Sequence, residues 1–97
     1  MELANLIEGS VSAIGESGNL ITDISVEQLA DTPKDENTIV KFGDHETLGI
    51  YETNHGQPDA TMVASLGPNG FLEIEIVGIS LSEMLGIKTG EKISVSW

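Results

Sequence analysis

The sequence contains no cysteine and no arginine. Without cysteine the chain forms no disulfide and offers no thiolate as a nucleophile or as a ligand for zinc or an iron–sulfur cluster. Without arginine it lacks the planar side chain that binds carboxylates and phosphates through paired hydrogen bonds. These two absences exclude several common classes of catalytic and metal site.

Positive charge is also scarce, because four lysines face 16 acidic residues and the formal net charge is −12. Nucleic-acid binding depends on clustered basic side chains, and anionic membrane surfaces attract the same groups. The composition therefore predicts neither nucleic acid nor membrane as a partner. No segment is long enough to span a bilayer, and the first residues carry no basic stretch typical of a signal peptide, so we expect a cytoplasmic protein.

The length of 97 residues predicts a single domain, residues 1–97. Short apolar or alternating segments recur every 8–12 residues or so and are separated by turn signals rich in Gly, Asn and Pro. This spacing predicts an all-β (mainly β) fold. We expect a small closed or nearly closed β-barrel of about seven short strands, because closure leaves no exposed sheet edge.

The clearest strand pattern lies in residues 71–76. Leu72, Ile74 and Ile76 share one face of this strand, whereas Glu73 and Glu75 share the other. The pattern predicts a buried apolar face, and the two carboxylates are expected on an exposed face.

Two segments have the spacing of a helix start, a serine followed three residues later by Glu or Gln. Ser80 precedes one of them, which predicts a helix that begins at Leu81 and ends at Gly86. Ser25 precedes the other, which predicts a helical turn over residues 26–30. The barrel should therefore carry one or two single-turn helices.

Neither histidine predicts a site by itself. His45 lies between two acidic residues, but consecutive strand residues point to opposite faces and a solvated turn explains them equally well, so we predict no metal site. His55 lies in a polar loop and has the chemistry of a general acid or base, yet no nucleophile or partner is evident beside it. The residues alone predict no catalytic constellation.

Four segments, in order, resemble one family: residues 18–24 (GNLITDI), 50–53 (IYET), 67–74 (GPNGFLEI) and 78–91 (GISLSEMLGIKTGE). They are similar to motifs in the C-terminal domain of the S-adenosylmethionine hydroxide adenosyltransferases and the related fluorinases and chlorinases. The resemblance implies a β-barrel domain that binds S-adenosylmethionine or an adenosine-like ligand. In that family the ligand lies at a trimer interface, against the larger N-terminal domain of a neighbouring subunit.

Six residues correspond to ligand-binding positions of that family. The resemblance implies that Asn19 bonds adenine, that Tyr51 packs on it, and that Asn69 lies near the methionine end. It further implies that the backbone from Ser80 through Leu81 to Ser82 faces the adenine edge.

The chain also departs from the family pattern. The N-terminal domain, with the aspartate that binds ribose and activates water, is absent from these 97 residues. Gly15 and Thr53 occupy positions where the family has aspartate. Leu81 replaces a small residue, so we expect its larger side chain to crowd the pocket.

The sequence thus favours a stand-alone barrel for an S-adenosylmethionine-like ligand, non-catalytic by itself and completed by a second copy or by a partner protein that supplies the missing domain. The alternative is a structural or protein-interaction module that has kept the fold and lost the ligand pocket. Residues 85–93 also resemble the hairpin of small antitoxin-type DNA regulators, but those bind DNA through basic residues, which the charge of −12 opposes.

Overall fold

The computed structural model describes residues 5–52 and 55–97. These residues form seven strands and one short helix: β1 (Leu6–Ile14), β2 (Leu20–Ser25), β3 (Ile39–Phe42), β4 (His45–Leu48), β5 (Met62–Leu66), β6 (Phe71–Ile76), α1 (Leu81–Leu85) and β7 (Lys92–Ser96). The predicted mainly β fold with seven strands is confirmed.

The strands form one antiparallel sheet in the order β4-β3-β7-β1-β2-β6-β5. Its two ends approach each other, since the Thr47 hydroxyl donates to the carbonyl of Met62 at 3.4 Å. Just after β4 the backbone of Tyr51 runs parallel to β5. Its N–H donates to the carbonyl of Ala64 and its carbonyl accepts from Leu66, both at 2.8 Å. The sheet is therefore a nearly closed barrel, as predicted.

The barrel interior holds one apolar cluster to which nearly every strand contributes. Alternation along β6 directs Leu72, Ile74 and Ile76 into it, as predicted. The largest fully buried side chains are those of Phe42, Leu20, Ile24, Leu29, Leu72, Ile74, Leu81 and Ile93. Burying each aliphatic side chain of this size contributes about 1.5–3 kcal/mol, so this cluster is the main source of stability.

Helix α1 begins and ends where the sequence predicts. The Ser80 hydroxyl accepts a hydrogen bond from the N–H of Glu83 at 3.3 Å, which caps the first turn. Gly86 follows the last turn with φ +68°, a left-handed conformation that suits glycine. Among residues 5–52 and 55–97 no helix is long and apolar enough to cross a membrane.

The second predicted helix start forms its cap but not an α-helix. The N–H of Gln28 donates to the Ser25 hydroxyl at 3.1 Å, and the N–H of Ser25 donates back to the Gln28 side chain at 2.9 Å. Residues 26–30 then form successive turns closed by bonds between residues three apart. The segment is too short to continue, because Pro33 and the polar stretch after it direct the chain to β3.

Candidate functional site

A cavity of about 490 Å³ lies on the outside of the barrel, beside the end of β6 and the segment that leads into α1. Its walls also include the turn that joins β1 to β2. The lining residues are Ser17, Asn19, Glu75, Ile76, Gly78, Ile79 and Ser80. The volume is within the range of small-molecule sites. Two of the six residues assigned by the resemblance, Asn19 and Ser80, therefore face the same space.

Gly18 brings those two residues together. Its φ is +80°, and a Cβ at this position would overlap the Ser80 hydroxyl and lie 2.7 Å from the Ser80 Cα. The carbonyl of Gly18 accepts from the N–H of Ser82 at 3.0 Å. Only glycine allows this approach without strain, so the glycine before Asn19 joins the β1–β2 turn to the start of α1.

Asn19 is held by a carboxylate that the alternation of β6 predicts on an exposed face. Its Nδ2 donates to Oε1 of Glu73 at 2.7 Å. Glu73 is only 9% exposed, so the expectation of an exposed face is wrong for this residue. The cause lies in the turn after β5, because Gly67 has no side chain and the Glu73 carboxylate occupies the space that a Cβ there would need.

Glu75, the second carboxylate of that face, lies in the cavity wall and meets His55. Its Oε1 is 3.6 Å from His55 Nε2, and the imidazole is 9% exposed. The N–H of Gln57 donates to His55 Nδ1 at 3.0 Å, so the neutral ring carries its proton on Nε2, facing Glu75. Alternation along one strand does not reveal this partner, because the two residues are 20 positions apart and meet only through the fold.

Tyr51 contacts the site only indirectly. The residue is 39% exposed, and its ring packs edge-on against His55, with 6.2 Å between the ring centroids. It does not line the cavity. Thr53, the last position of that family motif, lies outside the described residues.

The remaining residues assigned by the resemblance lie elsewhere. Asn69 is exposed in the turn between β5 and β6 and is not part of the cavity wall. The Leu81 side chain is fully buried in the core, so the expectation that it crowds the pocket is wrong. Ser82 is half-buried, and its N–H is already bound to Gly18. Leu81 points inward because it opens α1 on the side that covers the barrel.

Among the described residues that line the cavity, the one charged side chain is that of Glu75, and none is a lysine. Within the described ranges, no group of three or more His, Asp and Glu side chains has an arrangement that would hold a metal ion. The Ser80 hydroxyl accepts the bond that caps the helix. The site therefore offers an amide, a carboxylate, two serines and apolar surface, which suit the binding of a small molecule.

Solved structures of other proteins share this fold, and two of them illustrate the match. An uncharacterised conserved protein from Thermotoga maritima matches with a TM-score of 0.75 at 20% identity, over 98% of this chain and 39% of that one. A conserved hypothetical protein from Thermus thermophilus matches with a TM-score of 0.70 at 30% identity, over 91% of this chain and 34% of that one. The chain thus spans little more than a third of each neighbour.

No protein with a curated function matches the sequence. A family model does: the one described as the SAM hydroxide adenosyltransferase C-terminal domain matches residues 9–94, nearly the whole chain. The match includes the turn with Asn19, the strand with Glu73 and Glu75, and the helix cap at Ser80. The chain therefore belongs to the SAM hydroxide adenosyltransferase C-terminal domain family.

Proposed function

We propose that this barrel binds an adenosyl ligand such as S-adenosylmethionine in the cavity between Asn19 and Ser80, and that it is not catalytic alone. The observation that carries the proposal is the shared cavity wall: two of the five residues that the family resemblance assigns to adenine, Asn19 and Ser80, face one space of about 490 Å³. In this proposal Asn69 contacts only the methionine end of the ligand. Tyr51 lies outside the cavity and affects the site through its contact with His55.

The charge of the site indicates which adenosyl ligands it favours. Glu75 lies in the wall, Glu73 lies behind Asn19, and no lysine lines the cavity. A carboxylate attracts a sulfonium or ammonium group and repels a phosphate at the same distance. We therefore expect S-adenosylmethionine or an uncharged nucleoside to bind better than an adenine nucleotide.

The content of the cavity supports the proposal that the chain alone is not catalytic. Nucleophilic catalysis needs a nucleophile with a base in hydrogen-bond reach. The Ser80 hydroxyl instead accepts a bond from the helix backbone and lies 3.5 Å from the Ser82 hydroxyl. Because each structural neighbour is more than twice as long as this chain, we propose that a partner protein or further copies of the chain complete the site.

A ligand titration followed by amide NMR tests the proposal. Adenosine, S-adenosylmethionine and adenosine monophosphate are added separately to the labelled protein. We expect adenosine and S-adenosylmethionine to shift the Asn19 and Ser80 signals, and adenosine monophosphate to cause smaller shifts at the same concentration. Absence of any shift at millimolar ligand would refute the function.

Three asparagine variants sharpen that result. Asn19→Ala should weaken the binding of adenosine and of S-adenosylmethionine alike. Asn69→Ala should weaken the binding of S-adenosylmethionine only. Asn37→Ala, in an exposed turn before β3, is the matched control and should change neither. Equal binding by Asn19→Ala and wild type would place the ligand elsewhere.

One surface feature favours the alternative, a protein-interaction module. Leu6, Ile39 and Leu48 lie in one row across the outer face of β1, β7, β3 and β4, with Ser96 between the first two. Leu6 is 59% and Leu48 51% exposed. If this row is an interface between copies, sedimentation should show self-association that Leu48→Lys abolishes; a monomeric wild type would count against it.

A further inference from the structure

The bond between Asn19 and Glu73 determines which way the Asn19 amide faces. An ionised carboxylate only accepts hydrogen bonds, so the Asn19 atom 2.7 Å from Glu73 Oε1 must be the NH₂ nitrogen. We propose that Glu73 is a positioning residue: it holds Asn19 with its carbonyl oxygen available to the ligand, and thereby selects a purine that carries a 6-amino group. This inference rests on the proposed function and adds a determinant of specificity to it.

The neighbours of the pair leave little freedom for another arrangement. Glu73 is 9% exposed, and its carboxylate occupies the space beside Gly67. On the other side, Gly15 has no side chain, and a Cβ there would overlap the Asn19 Oδ1. The Asn19 amide thus lies between the buried Glu73 carboxylate and the backbone of Gly15. Gly15, where the family has aspartate, leaves room for the amide because it has no side chain.

The Asn19 Oδ1 is left free to accept a bond from a ligand. Within residues 5–52 and 55–97 no hydrogen bond reaches this oxygen, and the only fully buried side-chain polar atom without a partner there is Thr32 Oγ1. The Asn19 oxygen is therefore reached by solvent. Asn19 lines the cavity, so the proposal takes this oxygen as the acceptor that the site offers to a ligand.

An amide in this orientation matches adenine. Asparagine recognises adenine by accepting from the N6 amino group and donating to N7. A 6-oxo purine such as hypoxanthine would place its own acceptor against Oδ1, and the bond would be replaced by repulsion. A site built around a hydrogen bond rejects the analogue that cannot form it, because its polar groups are then left unpaired.

Binding of adenosine and inosine measures this selectivity. We expect the wild type to prefer adenosine by about tenfold or more, which corresponds to ~1.4 kcal/mol. In Glu73→Gln the new amide accepts from or donates to Asn19 equally well, so the preference should fall to about two- or threefold. Glu73→Asp keeps the charge, but its shorter side chain does not reach Nδ2, and the same fall is expected.

Glu75→Gln is the matched control, because it removes the same charge from the same face of β6 without touching Asn19. Glu75→Gln is expected to change the affinities for adenosine and inosine by the same factor, so that their ratio stays the same. A wild type without preference, or a ratio that survives both Glu73 variants, overturns the inference.

The ligand-free protein provides an independent readout. The two protons on Asn19 Nδ2 should give well-separated NMR signals, one of them protected from exchange by the bond to Glu73. Glu73→Gln and Glu73→Asp should both move that signal and remove its protection; unchanged signals overturn the inference. If the wild type shows the protected proton but binds no nucleoside, the proposed function fails while the positioning of Asn19 by Glu73 stands.

Discussion

Replacing Gly18 by alanine tests how the two halves of the candidate site are joined. The left-handed backbone at φ +80° costs a residue with a Cβ about 1–2 kcal/mol. The added methyl group would also overlap Ser80, including its backbone Cα at 2.7 Å, and overpacking of this kind costs about 1–3 kcal/mol. We therefore expect Gly18→Ala to lower the free energy of unfolding by about 2–5 kcal/mol.

Gly70→Ala separates these two terms. Gly70 has φ +87°, nearly the same as Gly18, but a Cβ there would meet no atom within 4 Å. Gly70→Ala should therefore lower the free energy of unfolding only by the backbone cost of about 1–2 kcal/mol. Urea unfolding followed by the fluorescence of Trp97, the single tryptophan, measures both variants. Equal losses would refute the conclusion that contact with Ser80 holds the β1–β2 turn against α1.

Three further changes test the elements around the site. Ser80→Ala removes the helix cap and should cost about 0.5–2 kcal/mol, whereas Ser82→Ala, which caps nothing, should cost less; equal values in urea unfolding would contradict the cap. Leu81→Ala should cost about 2–5 kcal/mol because the side chain is fully buried, whereas Met84→Ala, 59% exposed, should cost little, and the reverse order would contradict the packing of α1. Thr22→Val should cost about 1–3 kcal/mol, because its buried hydroxyl donates at 2.7 Å to a carbonyl of β6 that would lose its partner; unchanged thermal unfolding would contradict that bond.

The strands and the helix were predictable because their signals are local. Alternation along β6 needs only the period of two of an extended chain, and it directed Leu72, Ile74 and Ile76 inward as expected. The spacing from Ser80 to Glu83 encodes a cap that forms within four residues. Such patterns involve only residues that are close together along the chain, so they can be recognised in the sequence.

The burial of Glu73 was not predictable from the same alternation. The period tells which face a side chain occupies, but it does not tell what covers that face. The cover here comes from Asn19, 54 positions away, and from the room that Gly67 leaves. Leu81 illustrates the same limit, since its size predicted a crowded pocket and only the docking of α1 shows that it enters the core.

The short parallel contact of Tyr51 with β5 has a consequence for how the barrel fluctuates. Two hydrogen bonds of 2.8 Å form this seam, and the next described contacts along the chain are those of His55 with Tyr51 and Glu75. Transient opening of the seam would therefore loosen the imidazole beside the cavity together with the sheet. We therefore expect opening of the barrel at this seam to be coupled to access to one side of the candidate site.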